Sequence, residues 1–144
     1  RTTSSAASDV YKRQEIFNVG IFGMVNTFHE KVYKERGIKF YGEFYSDLEY
    51  DETGYLVIAK GRNKYYPTDR AVERCLRAMN ENKVKTVQGN DVVVGCETIC
   101  VHSDTPNAVE ILKALREKIS SDKKIPLKTS NGNHTKMPYI VDKK

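Results

Sequence analysis

Two short stretches of the sequence place acidic and imidazole side chains close together. The first is ICVHSDTP, residues 99–106, in which His102 and Asp104 follow an uninterrupted apolar run. Imidazole titrates near neutral pH, and a neighbouring carboxylate can orient it or bind a cation, so His102 and Asp104 are candidate catalytic residues. Backbone N–H groups at the start of the next predicted helix attract anions, which makes Thr105 a candidate for substrate binding. The alternative is structural: Asp104 caps that helix and His102 satisfies a loop carbonyl.

The second stretch is GEFYSDLEYD, residues 42–51, with Glu43 inside a predicted strand and Asp47 just past its end. A carboxylate buried among aromatic residues needs a partner or a raised pKa, and either is a reason to suspect a functional site. Glu43 and Asp47 are therefore candidate site residues. The competing interpretation has Glu43 pointing to solvent or paired with a lysine.

The elements that must position these residues alternate between helices and strands. Apolar spacing predicts helices over 24–36 and over 67–79, the second starting at Pro67. Alternation predicts a strand at 39–46 and a hairpin at 84–94 around Gly89. The region from 51 to 66 is predicted as a long loop that contains a turn and a short hairpin.

A buried strand and a helix complete the pattern around the first stretch. The apolar run at 98–101 is typical of a strand that is buried on both faces, which implies a parallel sheet. Thr105 is predicted to cap a helix that has Pro106 at its first position, and five apolar residues form the buried stripe: Ala108, Ile111, Leu112, Leu115 and Ile119. The order of elements predicts class α/β, in which both reactive stretches gather at the carboxyl ends of the strands.

Composition limits the class of protein. The 144 residues suit one domain or part of one, and no apolar run approaches the roughly 18 residues of a membrane helix. The three cysteines lack the spacing of a disulfide framework or of a zinc site, so a reducing cytoplasm is expected, with no membrane association.

The net charge of +5 is concentrated at the ends of the chain. Residues 1–14 carry three Lys or Arg against one Asp, and residues 122–144 carry six Lys against two Asp, so the middle of the chain is not net positive. A folded domain without a basic face does not collect phosphates, which argues against nucleic acid as a partner.

These patterns divide the chain into three parts. Residues 1–14 are interpreted as a disordered leader that resembles an adapter-derived sequence, residues 15–121 as one α/β domain, and residues 122–144 as a flexible basic tail.

The two reactive stretches carry a resemblance to a known family. Glu43 to Asp51, with Gly54, Leu56 and Val57, resembles the E-x-F-A-D-x-x-Y-x-x-x-G-x-L-V stretch of the LamB/YcsF family, and residues 98–109 resemble its I-C-V-H-G-D-T-P-x-A-V signature. The similarity covers about residues 37–120. It implies the C-terminal portion of a β/α barrel related to glycoside hydrolases and deacetylases.

The resemblance also implies a function. The best-described family role is the A subunit of 5-oxoprolinase, which opens 5-oxo-L-proline to L-glutamate with ATP and the B and C subunits, and a divalent metal is an open question. By motif match, Glu43, Asp47, His102 and Asp104 would line the site. The resemblance implies that His102 and Asp104 act in proton transfer or phosphate positioning, and that Glu43 and Asp47 bind substrate or a cation. The alternatives are a carbohydrate deacetylase-like hydrolase on the same barrel and a truncated, non-catalytic subunit.

Three departures bear on the function. Leu48 stands where many members have Arg, and Ser103 replaces the usual Gly. The N-terminal D-L-N-x-D-x-G-E signature of the family is absent from the 144 residues, so this fragment alone is expected to be inactive.

Overall fold

A computed structural model of the chain describes residues 20–58, 64–121 and, for the backbone alone, 139–143. In chain order the elements are β1 (Ile21–Gly23), α1 (Phe28–Glu35), β2 (Phe40–Tyr45), β3 (Glu49–Tyr50), β4 (Leu56–Val57), α2 (Thr68–Glu81), β5 (Lys83–Lys85), β6 (Asp91–Val93), β7 (Thr98–His102), α3 (Ala108–Ser121) and β8 (Tyr139–Lys143). The predicted α/β class is confirmed.

The central sheet has four parallel strands in the order β1-β2-β7-β8. The register between β2 and β7 sets Glu43 beside Thr98 and Tyr45 beside Cys100. Two antiparallel hairpins, β3–β4 and β5–β6, lie outside this sheet. The described strands form an open sheet, so the closed barrel that the resemblance implied is not seen in them.

Alternation along β2 and β7 gives the sheet two different faces. Phe44, Ile99 and Val101 are fully buried and join the core against α2 and α3. The helices contribute their small and aliphatic residues to that core: Ala71, Cys75, Ala78, Ile111, Leu115 and Ile119. The other face of the two strands therefore carries the remaining, mostly polar residues: Glu43, Tyr45, Thr98, Cys100 and His102.

Helix α1 begins four residues later than predicted. Asn26 adopts a positive φ of 60°, and Thr27 is the N-cap, its side chain accepting the N–H of Glu30 at 3.3 Å. Both features are incompatible with a helix that starts at Met24. At the other end Gly37 has φ 69°, the left-handed conformation that favours glycine after a helix.

The start of α3 corrects a second prediction. The helix begins at Ala108, and its first backbone N–H bonds to the carbonyl of Thr105 at 3.0 Å. The Thr105 hydroxyl donates to Asp47 instead, so Thr105 does not act as the predicted side-chain cap. The predicted buried stripe is confirmed, with Leu112 half-buried beside the fully packed positions.

The hairpin predicted at 84–94 is confirmed, whereas the hairpin predicted within 51–66 begins earlier, at Glu49. The β5–β6 pair turns at Gly89, which has φ 91°, and the β3–β4 pair turns at Gly54, which has φ 84°. The interpretations of the leader at 1–14 and of residues 122–138 of the tail lie outside the described residues. Residues 139–143 of that tail form β8 beside β7.

Candidate active site

Asp47 and His102 meet at the carboxyl ends of two neighbouring parallel strands. Asp47 lies two residues past the end of β2, and His102 is the last residue of β7. The Oδ1 atom of Asp47 is 2.7 Å from Nδ1 of His102, and Oδ2 accepts the His102 backbone N–H at 3.0 Å. The sheet register thus brings a carboxylate and an imidazole into a double contact.

The environment of Asp47 keeps it ionised. Burial by itself would raise the pKa of this carboxyl, but hydrogen bonds from the His102 ring, the Thr105 hydroxyl and the His102 backbone N–H lower the pKa below its ordinary value. Its side chain is wholly buried, and both oxygens are used within the protein. The carboxylate is a fixed negative charge facing the imidazole.

The same contacts keep His102 charged. The hydrogen bond to Asp47 is the largest cause, followed by the contact with the Cys100 thiol, and together they raise the pKa of His102 to about 9 against the cost of burial. His102 is therefore an imidazolium at neutral pH, paired with Asp47. Its ring stacks on Tyr45 with 5.9 Å between centroids, and Nε2 lies 4.0 Å from the Cys100 Sγ.

Ser46 links the end of β2 to β7 next to the Asp47–His102 pair. Its backbone N–H and its hydroxyl both donate to the carbonyl of Cys100, at 3.0 and 2.9 Å. Since Ser46 is fully buried, these bonds extend the sheet pairing to the residue before Asp47.

Glu43 occupies the same face of the sheet as His102, two residues before Tyr45. It is only 2% exposed, so the solvent-facing interpretation is wrong. Burial, followed by the nearby Glu43 carboxylate, raises the pKa of the Tyr45 phenol. Glu43 also lines a cavity of about 200 Å³ together with Met24, Tyr50, Tyr55 and residues 92–95. The cavity lies where β1 ends, beyond the short pairing of β1 with β2.

The remaining predicted site residues divide between the pair and the surface. Thr105 is buried and donates its hydroxyl to Asp47 Oδ2. Asp104 lies exposed in the turn between β7 and α3. The structure thus brings Asp47, His102 and Thr105 into direct contact and leaves Asp104 at the rim beside them.

The sequence analysis missed Arg74, which is the buried cation of the site region. Arg74 lies in α2 on the same face as Ala71, Cys75 and Ala78, all of which are buried. An arginine on the apolar stripe of an amphipathic helix was the available signal, because a charge on that stripe needs a buried partner.

The described residues offer no obvious metal centre. They contain no group of three or more His, Cys, Asp or Glu side chains arranged to hold a metal ion. Burial raises the pKa of the Cys96 thiol to about 12 and that of Cys75 well above its ordinary value, as expected for packed thiols rather than metal ligands. Within the described part of the chain, no helix has both the length and the apolar character for a membrane crossing.

These features define an α/β protein with a carboxylate–imidazolium pair at the carboxyl edge of a parallel sheet. The chain belongs to the LamB/YcsF family, whose sequence profile matches residues 3–133.

Similar proteins agree with this assignment. The chain is 36% identical over 91 residues to the first 5-oxoprolinase A subunit of Pseudomonas putida, a match that covers 63% of this chain and 36% of that protein. It is 36% identical over 104 residues to the lactam utilization protein lamB of Emericella nidulans, covering 69% of this chain and 40% of that one. The chain thus spans about two fifths of the curated relatives it matches.

A solved structure shows the same arrangement of elements. The crystal structure of a lactam utilization protein from Thermus thermophilus superposes with a TM-score of 0.67 at 25% sequence identity. The superposition covers 79% of this chain and 46% of that protein. This chain therefore corresponds to about half of that larger structure.

Proposed function

We propose that this chain supplies part of the catalytic site of a 5-oxoprolinase A-type hydrolase. The complete protein would open 5-oxo-L-proline to L-glutamate in the cytoplasm, with ATP as co-substrate and B and C subunits as partners. The names of the relatives support the reaction, and the Asp47–His102 pair at the carboxyl edge of the sheet is the observation that carries it. We further propose that the remaining strands of a β/α barrel surround this edge.

The charge state of His102 suggests its role. Hydrolysis of a lactam adds the oxygen of water to the carbonyl carbon and breaks the bond from that carbon to the ring nitrogen, which takes up a proton as it departs. An imidazolium is a suitable donor at neutral pH, and the raised pKa keeps His102 in that form. We therefore assign His102 as the general acid.

The neighbouring residues would support that proton transfer. Because both Asp47 oxygens are already engaged by His102 and Thr105, Asp47 is better suited to orienting the imidazolium than to binding substrate directly. We further propose that Asp104, which is exposed in the adjacent turn, shares in proton transfer, and that Glu43, which lines the cavity beyond β1, contacts substrate.

The ATP and metal requirements have less support from this part of the chain. The sequence has no Walker A pattern, and the described residues present no cluster of metal ligands. The roles assigned to Asp47 and His102 use neither group. ATP use would depend on the family's own site or on the partner subunits.

A chimera tests the proposal. Residues 37–120 of this chain, which carry both motifs, would replace the corresponding segment of the Pseudomonas putida protein, and ATP-dependent glutamate formation would be measured with the B and C subunits. We expect turnover by the chimera, and a loss of about 10²- to 10⁴-fold in kcat for His102→Ala. Lys113→Ala, an exposed position on α3, is the matched control and should leave kcat unchanged.

Two results would contradict the proposal. One is a chimera whose kcat is unaffected by His102→Ala, since the general acid would then lie elsewhere. The other is a chimera that fails to form glutamate but releases acetate from acetylated sugars, which would favour the deacetylase-like alternative. The 144-residue chain without the remaining segments is expected to show no turnover with the same partners.

A further inference from the structure

Arg74 is a buried cation that three aromatic rings enclose. The residue is 7% exposed, and its guanidinium carbon lies 5.6–5.8 Å from the ring centroids of Phe44, Tyr50 and Tyr66. Moving a cation out of water is costly unless hydrogen bonds replace its hydration, so the guanidinium must be held by specific partners.

The partners of Arg74 are the backbone carbonyls on either side of Asp47. Nη1 donates to the Ser46 carbonyl at 3.0 Å, and Nη2 donates to the Leu48 carbonyl at 2.5 Å. Nη1 also donates to the hydroxyl of Tyr66. The planar guanidinium thus binds the backbone one residue before and one residue after Asp47, whose carboxylate belongs to the candidate active site.

These hydrogen bonds fix the path of the backbone at 46–48, which lies past the end of β2. Strand β2 ends at Tyr45, so the backbone at 46–48 is no longer fixed by continuous strand pairing. Ser46 is bonded to β7, and the carbonyls of Ser46 and Leu48 are bonded to Arg74 of α2. A small change in the backbone there would move both Asp47 oxygens relative to His102.

We propose that Arg74 is a positioning residue, which fixes the backbone around Asp47 so that its carboxylate meets the ring and the backbone N–H of His102. Its effect on catalysis rests on the proposed function, whereas its effect on the Asp47–His102 geometry does not. Tyr45 and Cys100 are the titratable groups beside His102 on the two strands. The hydrogen bonds described for the Arg74 guanidinium do not include either residue.

The test is an NMR titration of the His102 ring in the full chain. Arg74→Lys keeps the charge and most of the volume, but one ammonium group cannot hold both carbonyls in the geometry of the planar guanidinium. We expect the His102 midpoint to fall by about 1 pH unit or more from its wild-type value, because a misplaced Asp47 stabilises the imidazolium less.

A second variant separates geometry from charge. Arg74→Met removes a nearby cation, which by simple electrostatics would raise the His102 midpoint, whereas lost positioning lowers it. A lower midpoint in both variants therefore supports the inference. Arg77→Lys is the control on the same helix, because Arg77 bonds to Glu81 and Asp91 away from the pair, and it should leave the midpoint unchanged.

A wild-type midpoint in Arg74→Lys, with only a lower melting temperature, would make Arg74 a structural residue and overturn the inference. If Arg74→Met does not fold, the Arg74→Lys titration decides the matter. In the chimera, Arg74→Lys should lower kcat with little change in KM. If the titration shifts as expected while the chimera forms no glutamate, the proposed function fails and the positioning role stands.

Discussion

Asp47 and His102 are joined twice, through the 2.7 Å contact between Oδ1 and Nδ1 and through the 3.0 Å hydrogen bond from the His102 backbone N–H to Oδ2. The first contact fixes the ring and the second fixes the strand end that carries it. Since Nδ1 is engaged, Nε2 is the ring nitrogen that remains for the proton transfer proposed above, and it lies beside the Cys100 thiol.

The first prediction concerns the charge of His102. Asp47→Asn keeps the side-chain volume but removes the carboxylate, which is the largest cause of the raised His102 pKa. We expect the pKa to fall from about 9 towards the ordinary value of 6.5. The measurement is a ring-proton NMR titration, with Glu117→Gln, at an exposed position on α3, as the control that should leave the midpoint unchanged. A midpoint that stays near 9 in Asp47→Asn would show that another group charges the imidazole.

The second prediction is a loss of stability at alkaline pH. The folded state raises the pKa of His102 above its unfolded value, so the stabilisation is complete below pH 6.5 and is lost as the pH rises through about 9. Between about pH 6 and pH 10 the free energy of unfolding should fall by up to about 3 kcal/mol through this group.

Urea unfolding at a series of pH values measures that loss. His102→Gln is the comparison, because it lacks the titrating ring and its stability should be flatter across the same range. His29→Gln is the control, since His29 lies exposed on α1. Parallel curves for the wild-type chain and His102→Gln across that range would contradict the assigned pKa.

The third prediction concerns Gly42 and Gly95, whose backbones lie close together. A Cβ atom on Gly42 would lie 2.7 Å from Val25 Cγ1 and 3.1 Å from the backbone Cα of Gly95. The valine can rotate but the backbone cannot, so Gly42→Ala should force β2 away from the segment that leads into β7. We expect a loss of about 1–3 kcal/mol in the free energy of unfolding, measured by urea denaturation.

A glycine in open space provides the control for that experiment. Gly37 has φ 69° with nothing within 4 Å of the added atom, and asparagine tolerates this conformation. Gly37→Asn should therefore cost about 1 kcal/mol or less. Equal costs for the two variants would mean that the contact at Gly42 relaxes freely.

The part of the site that follows from strand periodicity could be predicted from the sequence. The apolar run before His102 and the aromatic alternation before Asp47 each identify a strand and its carboxyl end, and parallel strands bring such ends to one edge. Glu43 could also be placed inside a strand, but its burial could not, because alternation does not reveal what covers a face.

The rest of the site depends on contacts between distant segments. Thr105 follows the pattern of a helix cap, yet its hydroxyl bonds to a carboxylate 58 positions away in the chain. Arg74 reaches the carbonyls of Ser46 and Leu48 from a helix that follows two short strands and a loop. Local sequence propensity determines neither the partner of Thr105 nor the partners of Arg74, because both depend on tertiary contacts that the sequence alone does not reveal.

The last prediction concerns the Thr105 hydroxyl. Thr105→Val keeps the shape of the side chain but removes the donor to Asp47 Oδ2, one of the hydrogen bonds that lower the pKa of that carboxyl. A lowered pKa contributes stability above the ordinary value of 3.8 and loses it as the pH falls. Thr105→Val should therefore lose about 1–2 kcal/mol at neutral pH and unfold at a higher pH on acidification.

Thr105→Ser provides the matched control because it retains the hydroxyl. It should keep the acid-unfolding midpoint close to that of the wild-type chain, and acid titration followed by circular dichroism compares the three proteins. If Thr105→Val and Thr105→Ser unfold at the same pH, the hydroxyl does not support the Asp47 charge. The ionised form of Asp47 would then be stabilised by His102 alone. In that case the fall in the His102 pKa expected for Asp47→Asn would measure the whole electrostatic interaction between β2 and β7.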